Sequence, residues 1–515
     1  MKKNVVIIGA GPAGLSTGYE ILDKSNEYNV IILEKSNTAG GISRTVVHNG
    51  NRMDIGGHRF FSKDENIVKW WLNILPMQNI QSIDDILLNQ QKELPKGKVD
   101  PEKEDKVMLK RNRVSRIFYN QKFFDYPIRM KFETIKNLGL KTTLIAGFSY
   151  LFSVFNKKEE NSLENFYINR FGKKLYSMFF ENYTEKLWGR HPKEISADWG
   201  KQRVKGLSVF GIIKDIFFKL FPFINHKTET SLIEEFMYPK LGPGQLWETV
   251  AEKIQQKGGK IFYNCEVTRL NPESKKTITY LDLNKKENTI EADFVVSSMP
   301  IKDLIQGIEN APADIKEIAY HLPYRDFVTT GILVRDINLK NKTNIKTLNQ
   351  RIPDCWIYVQ DSKVKMGRMQ FFNNWSPYMV KDYKNTLWIG LEYFCRENDD
   401  FWNLNDNEML DFVSRELIKM NIINKKEDIL DFHTEHVEKA YPAYFDSYKD
   451  IDKVINYLNS IENLYCVGRN GQHRYNNMDH SMMSGFLAAK SIVEGKDIRE
   501  EIWNVNTEEE YHESK

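Results

Sequence analysis

The stretch Lys3-Asn-Val-Val-Ile-Ile-Gly-Ala-Gly-Pro-Ala-Gly14, continued through a helical run to Leu22 and then Tyr28-Asn-Val-Ile-Ile-Leu-Glu34, decides the fold. Apolar Val5 to Ile8 reads as a buried strand, Ala13 to Leu22 as a helix, and Val30 to Leu33 as a second strand, which makes a βαβ unit. Gly9, Gly11 and Gly14 let the turn tighten and the backbone approach a pyrophosphate at the helix N-terminus. Glu34 closes the second strand, where its carboxylate can accept hydrogen bonds from ribose hydroxyls. The motif fits NAD or FAD equally, and no second copy marks a separate NAD(P)H domain.

The chain outward from this unit is organised in pieces. Lys92 to Asp105, rich in lysine and glutamate with Pro95 and Pro101, reads as an exposed loop, and Phe132 to Leu220 as mostly helical. Gly242-Pro243-Gly244 precedes an amphipathic helix over Leu246 to Lys257, and Lys260 to Val267 is expected as one strand. Ala292 to Met299 reads as a buried parallel strand. Phe327 to Val334, Cys355 to Val359, Arg368 to Asn373 and Thr386 to Phe394 read as an antiparallel sheet. A last strand over Leu464 to Val467 leads to a helix over His480 to Val493, and the charged tail from Arg499 is expected to fray.

The fold expected is α/β: a Rossmann-type dinucleotide-binding domain with an inserted helical subdomain and an antiparallel β-sheet substrate subdomain. Residues 1–90, 231–300 and 451–498 form the dinucleotide-binding part, 91–230 the helical substrate part, 301–450 the antiparallel sheet, and 499–515 the tail.

Composition narrows the function classes. With 515 residues, 41% hydrophobic and 28% charged, the chain is globular rather than disordered. Lys plus Arg at 73 against Asp plus Glu at 70 leaves a net charge of +3, too little for a general nucleic-acid field, so any anion is bound locally. Cys265, Cys355, Cys395 and Cys466 show neither disulfide-framework nor metal-site spacing, which points to a reducing, cytoplasmic compartment and no metal. The N-terminal apolar run is broken by glycines and proline and lacks a leader's cleavage pattern. No run reaches the roughly 20 apolar residues of a membrane span. Leu144 to Phe155 and Phe210 to Ile224 come nearest; both read as core or amphipathic helix, compatible with a peripheral contact at the inner face of the membrane.

The residues after the second strand separate the cofactors. Glu34-Lys35 followed by Gly40-Gly41-Ile42-Ser43-Arg44 resembles the extension found in flavoprotein amine oxidases and phytoene desaturases, which implies FAD. Four further stretches resemble the UDP-galactopyranose mutase family, especially its long eukaryotic-type form. They are Asp54-Ile-Gly-Gly-His-Arg-Phe-Phe-Ser62, Tyr183-Thr-Glu-Lys-Leu-Trp-Gly189, Gly367-Arg-Met-Gln-Phe-Phe-Asn-Asn-Trp-Ser-Pro-Tyr378 and Gly468-Arg-Asn-Gly-Gln-His-Arg-Tyr-Asn-Asn-Met-Asp-His480. They occur in the family's order and extend to about residue 495. The wider flavin amine-oxidase superfamily shares the first of them.

This resemblance implies a flavin-dependent isomerase. It would interconvert pyranose and furanose forms of a nucleotide-diphosphate sugar through a covalent adduct at N5 of reduced FAD, for cell-surface polysaccharide synthesis, with NAD(P)H as a candidate external reductant. By the same resemblance Arg203 and Arg368 clamp the diphosphate, and Tyr358, Tyr441 and Tyr475 hydrogen-bond it. Trp188 lies near the sugar, Tyr126 stacks on the base, and Arg129 and Trp375 line the nucleotide. His58, in the Gly56-Gly57 turn, tunes the flavin. Gly41, Arg44, Gly57, Val267, Gly468, Arg469, Met478 and Asp479 complete the cofactor contacts. Arg129 and Thr184 stand where the family has amides, and Trp375 where it has a phosphate-binding tyrosine. An arginine only donates at a base edge, whereas an amide also accepts, so a different base, sugar or lipid-linked sugar phosphate stays open. A true FAD oxidoreductase of the amine oxidase, protoporphyrinogen oxidase or phytoene desaturase kind is the alternative, with the arginines structural or on a substrate carboxylate.

Overall fold

A computed structural model describes residues 2–126, 128, 132–197 and 235–506. Arg129, Arg203 and the apolar run 210–224 lie outside these residues.

Five short strands form the parallel sheet at the centre of the dinucleotide half. Their spatial order is Leu464–Cys466, Phe294–Ser297, Lys3–Ile8, Tyr28–Leu33, Lys260–Phe262. Val5 to Ile8 are almost completely buried because helices cover the sheet, which is why the run is apolar without alternation. The helix Pro12–Lys24 starts with proline, whose missing N–H falls where the helix has no partner for one. Against it packs the helix Met478–Glu494: a Cβ on Gly485 would lie 2.5 Å from the Ala13 carbonyl oxygen, and Thr17 Oγ1 donates to the Gly485 carbonyl at 3.2 Å. The two ends of the chain thereby close over one site.

The expected single strand over Lys260 to Val267 is two. Asn264 takes a left-handed conformation (φ 55°), turning the chain between Lys260–Phe262 of the parallel sheet and Glu266–Asn271. The latter opens a three-stranded antiparallel meander with Lys276–Leu281 and Glu287–Ala292.

The second large sheet has seven strands, in the order Ile429–Pro442, Tyr324–Val334, Leu387–Cys395, Arg368–Phe371, Trp356–Val359, Ser115–Tyr119, Lys122–Asp125. It is mixed rather than wholly antiparallel, because Trp356–Val359 runs parallel to Ser115–Tyr119. That pairing draws residues 115–125 of the helical segment into the sheet.

Beyond it come the helices Leu140–Phe155, Leu163–Phe179 and Glu181–Trp188, the last stopped by Gly189 in a left-handed conformation (φ 65°). Arg325, buried on the sheet, fastens this helix end: Nε donates to the Leu187 carbonyl at 3.1 Å, and Nη2 to the carbonyls of Lys186 and Phe394, both at 3.3 Å.

The start of the charged tail is ordered against expectation. Arg499–Asn504 is helical with Ile502 and Trp503 buried, and Arg499 Nη1 donates to the Asn459 and Ile461 carbonyls at 2.9 Å. Two apolar side chains among the charges dock the segment, a signal that net composition hides.

Candidate active site

The glycine turn forms a cradle that a larger residue at Gly9 or Gly14 would fill. A Cβ on Gly14 would lie 2.0 Å from the Gly9 carbonyl oxygen, and Gly9 itself has φ 100°. Gly11 and Gly41 face each other across the turn, a Cβ on Gly41 lying 3.3 Å from the Gly11 Cα. The buried Glu34 carboxylate closes the far end, accepting from the Ala10 N–H at 2.6 Å and from the Ser36 N–H and hydroxyl at 2.8 and 2.7 Å. Val267 stands close by, because the Cys265 N–H donates to the Glu34 carbonyl at 2.8 Å. Arg44 donates to the Gly41 carbonyl at 3.2 Å and to Glu435 at 3.3 Å, tying the second glycine pair to the large sheet.

The C-terminal motif returns to the same place. Gly468 (φ 77°) donates its N–H to Ser484 Oγ at 2.9 Å, and a Cβ there would lie 2.8 Å from that of Ala13. Met478 and Asp479 open the helix that follows, under an Asn477–His480 capping box, and Asp479 accepts from Ser62 Oγ at 3.0 Å. The dipole of this helix start favours negative charge.

Arg469 lies against the rings of Tyr475 and Tyr441, 4.1 and 5.1 Å from their centroids, and its buried Nε and Nη2 have no hydrogen-bond partner among the described residues. Buried guanidinium donors left unmet are costly, so a ligand acceptor belongs beside them.

His58 Nδ1 sits 3.0 Å from the Gly56 carbonyl, so that nitrogen carries the proton and Nε2 is an acceptor. Burial, opposed by the Gly56 carbonyl and aided by nearby Arg469, pulls the imidazole down to about 4. It is neutral at physiological pH. Beneath this turn lie Trp356 and Trp375, each about 3.5 Å from where a Gly57 Cβ would be.

From Arg469 the contacts run on to Arg368. Tyr475 and Tyr441 stack at 5.6 Å, and the Tyr441 hydroxyl accepts from Arg368 Nη1 at 3.2 Å. Arg368 Nε donates to the Tyr183 hydroxyl at 3.0 Å, and Nη1 reaches the fully buried Glu392 at 3.3 Å. Glu392 also accepts from Gln370 at 2.7 Å. Burial pushes Tyr441 up to about 12, with Arg368 pulling the other way, and raises Tyr183 also. Both phenols are therefore protonated, and each keeps a hydrogen to donate onward. Tyr358 meets Tyr183 edge-on at 5.9 Å and Tyr126 at 4.3 Å, extending the aromatic wall. The cluster sets two guanidinium charges against one carboxylate, so it is built for an anion.

One expected side chain stands apart. Trp375 is wholly buried, with its N–H donated to the Cys355 carbonyl at 3.0 Å and its ring stacked on Trp356 at 5.4 Å. Its only polar atom is satisfied, so it supports the Gly56–Gly57 turn from below rather than facing the phenols. Trp188 is buried in the same core as Tyr441, Tyr183 and Tyr358, edge-on to Phe445 at 6.5 Å.

Sequence reasoning missed the roles of Tyr183 and Glu392. A lone acid inside the apolar run Leu387–Cys395 was the available sign, since a charge on a wholly buried strand demands a partner.

Residues 12–493 match the family described as flavin containing amine oxidoreductase. The chain belongs to that family. No curated protein sequence matches it. Among solved structures of the fold, a reduced UDP-galactopyranose mutase superposes with a TM-score of 0.74 at 21% identity, covering 99% of this chain and 100% of that one. A putative protoporphyrinogen oxidase from Exiguobacterium sp. 255-15 gives 0.65 at 13%, covering 96% and 98%, and a putrescine oxidase bound to putrescine gives 0.57 at 13%, covering 96% and 99%. The residues present fit the flavin that membership of this family implies. The glycine turns leave room for a pyrophosphate, the Glu34 carboxylate at the end of the second strand could accept from ribose hydroxyls, and the buried Nε and Nη2 of Arg469 near His58 could donate to the flavin.

Proposed function

We propose that the protein is a flavin-dependent mutase acting on a nucleotide-diphosphate sugar, interconverting its pyranose and furanose forms with FAD in the reduced state. The observation that carries this reading is the Arg368 cluster, a guanidinium fixed by two protonated phenols and a buried carboxylate beside the Gly56-Gly57-His58 turn. An amine substrate is a cation and gains nothing from such a site; a diphosphate gains charge-assisted hydrogen bonds.

Arg368 grips the diphosphate, with the Tyr183 and Tyr441 hydroxyls donating to remaining oxygens, while Tyr358 and Tyr126 offer a stacking face for the base. His58 stays neutral, its orientation fixed through Nδ1. Gly9, Gly11, Gly14, Glu34, Gly41, Gly468 and Arg469 would hold the flavin, which when reduced would supply a nucleophilic nitrogen for the anomeric carbon. NAD(P)H is a suitable external reductant.

The test is anaerobic incubation of dithionite-reduced protein with UDP-galactopyranose and a panel of other nucleotide sugars, followed by chromatography. An isomer of unchanged mass, formed only by reduced protein, is expected. Electron-acceptor consumption by the oxidised protein, with no isomer, would assign it instead to the oxidising members of its family.

A further inference from the structure

The helix Leu140–Phe155 is turned inside out. Its small and polar residues, Ala146, Tyr150 and Ser153, are the buried ones. They face the helix Leu163–Phe179 at Gly172, where a Cβ would lie 2.7 Å from the Tyr150 nitrogen, so a glycine allows the two backbones to meet there. The large apolar residues point away: Leu140, Leu144, Phe148, Leu151, Phe152 and Phe155 are 51–82% exposed. At 100° per residue they fall within an arc of about 120°. A contiguous apolar face of this size on an otherwise charged surface marks an interaction site.

Its charges indicate the partner. Between Glu133 and Glu159 there is no acidic residue, and the exposed Lys136, Lys141, Lys157 and Lys158 stand at the two ends of the face. A helix with phenylalanine and leucine on one side and lysines at its margins lies flat in the interface of an anionic bilayer, apolar face inward and ammonium groups at the phosphates. Among the described residues no helix is long and apolar enough to cross a membrane. We infer that the Leu140–Phe155 face docks the protein peripherally on an anionic lipid surface. The inference is independent of the reaction catalysed.

Flotation of the full-length, flavin-loaded protein with vesicles tests it, using phosphatidylcholine alone and phosphatidylcholine with 30 mol% phosphatidylglycerol (about a third anionic, as a standard probe). The protein should float with the anionic vesicles and be released by salt. The triple change Phe148→Gln, Phe152→Gln, Phe155→Gln should reduce binding at least about tenfold, since these exposed rings carry the insertion. Lys157→Gln with Lys158→Gln should weaken it several-fold at low salt only. These substitutions sit on the surface, and unchanged flavin absorbance and melting temperature verify the fold. Binding that survives the triple change overturns the inference. So does wild-type protein that ignores both vesicles, whether it sediments as a dimer broken by the triple change, which assigns the face to a second copy, or as a monomer, which leaves the face to its own chain.

Discussion

Arg469 and Tyr475 are six residues apart, yet the guanidinium lies over the phenol ring at 4.1 Å, held there with two buried nitrogens unmet by any described residue. Contact with the Tyr475 and Tyr441 rings holds the guanidinium in place, so its donors are positioned before any ligand arrives. Arg469→Ala should weaken FAD binding by roughly 10- to 100-fold, the usual worth of hydrogen bonds from a charged donor. Arg469→Lys should recover only part of it, because an ammonium cannot present two parallel donors. Titration of the apoprotein with FAD measures this. An unchanged dissociation constant in the alanine variant would remove Arg469 from the cofactor site.

Arg368 and Glu392 separate stability from activity. Glu392 is fully buried and Arg368 is the cation beside it, so Arg368→Ala leaves an uncompensated charge and should cost about 3–5 kcal/mol. Replacing both, Arg368→Met with Glu392→Gln, removes the stranded charge and should restore most of the stability in urea unfolding, while isomerase turnover stays lost. Turnover in the double variant would show that the arginine serves the fold alone.

The first thirty-four residues were legible because everything they specify is local: strand, glycine turn, helix and acid follow one another along the chain. The edge strand Ile429–Pro442 was not, since most of its side chains are only partly buried or exposed and its run of Asp, His, Glu and Lys masks the β-pattern. Placement of site residues followed the same division. Motif residues such as Arg368, Tyr441 and Arg469 are joined by direct contacts, but the Arg368–Glu392 pair bridges neighbouring strands and the Arg469–Tyr475 contact depends on the conformation of the loop between them, so neither could be read beforehand. Trp375 shows the opposite failure. It lies in a polar-looking motif, yet the chain turns its ring inward beneath Gly57.

Gly14→Ala puts a methyl group 2.0 Å from the Gly9 carbonyl oxygen, a backbone atom that cannot rotate away. The helix Pro12–Lys24 must shift off the first strand, which spoils the cradle and strains the packing by about 1–3 kcal/mol. The variant should purify with little bound flavin and a lowered melting temperature. Gly139→Ala, where no atom lies within 4 Å of the added methyl but φ is 81°, provides the control for backbone strain alone. It should keep its flavin. Full flavin occupancy in Gly14→Ala would show the turn to be looser than its contacts require.

His473 should make the protein acid-labile. It is wholly buried, with Nε2 3.1 Å from the Ala443 carbonyl, and burial lowers its imidazole from 6.5 to about 4. Above pH 6.5 both native and unfolded chains hold it neutral, and its contribution is complete. As pH falls towards 4 the unfolded chain takes up a proton that the native protein refuses, so stability declines across that window, by up to about 3 kcal/mol for this one group. His58, shifted in the same direction, adds to the decline until a ligand covers it. Urea unfolding at pH 7.5 and 5.0 measures the slope, and His473→Gln should flatten it while lowering stability at neutral pH. A variant as steeply pH-dependent as the wild type would place the titrating group elsewhere.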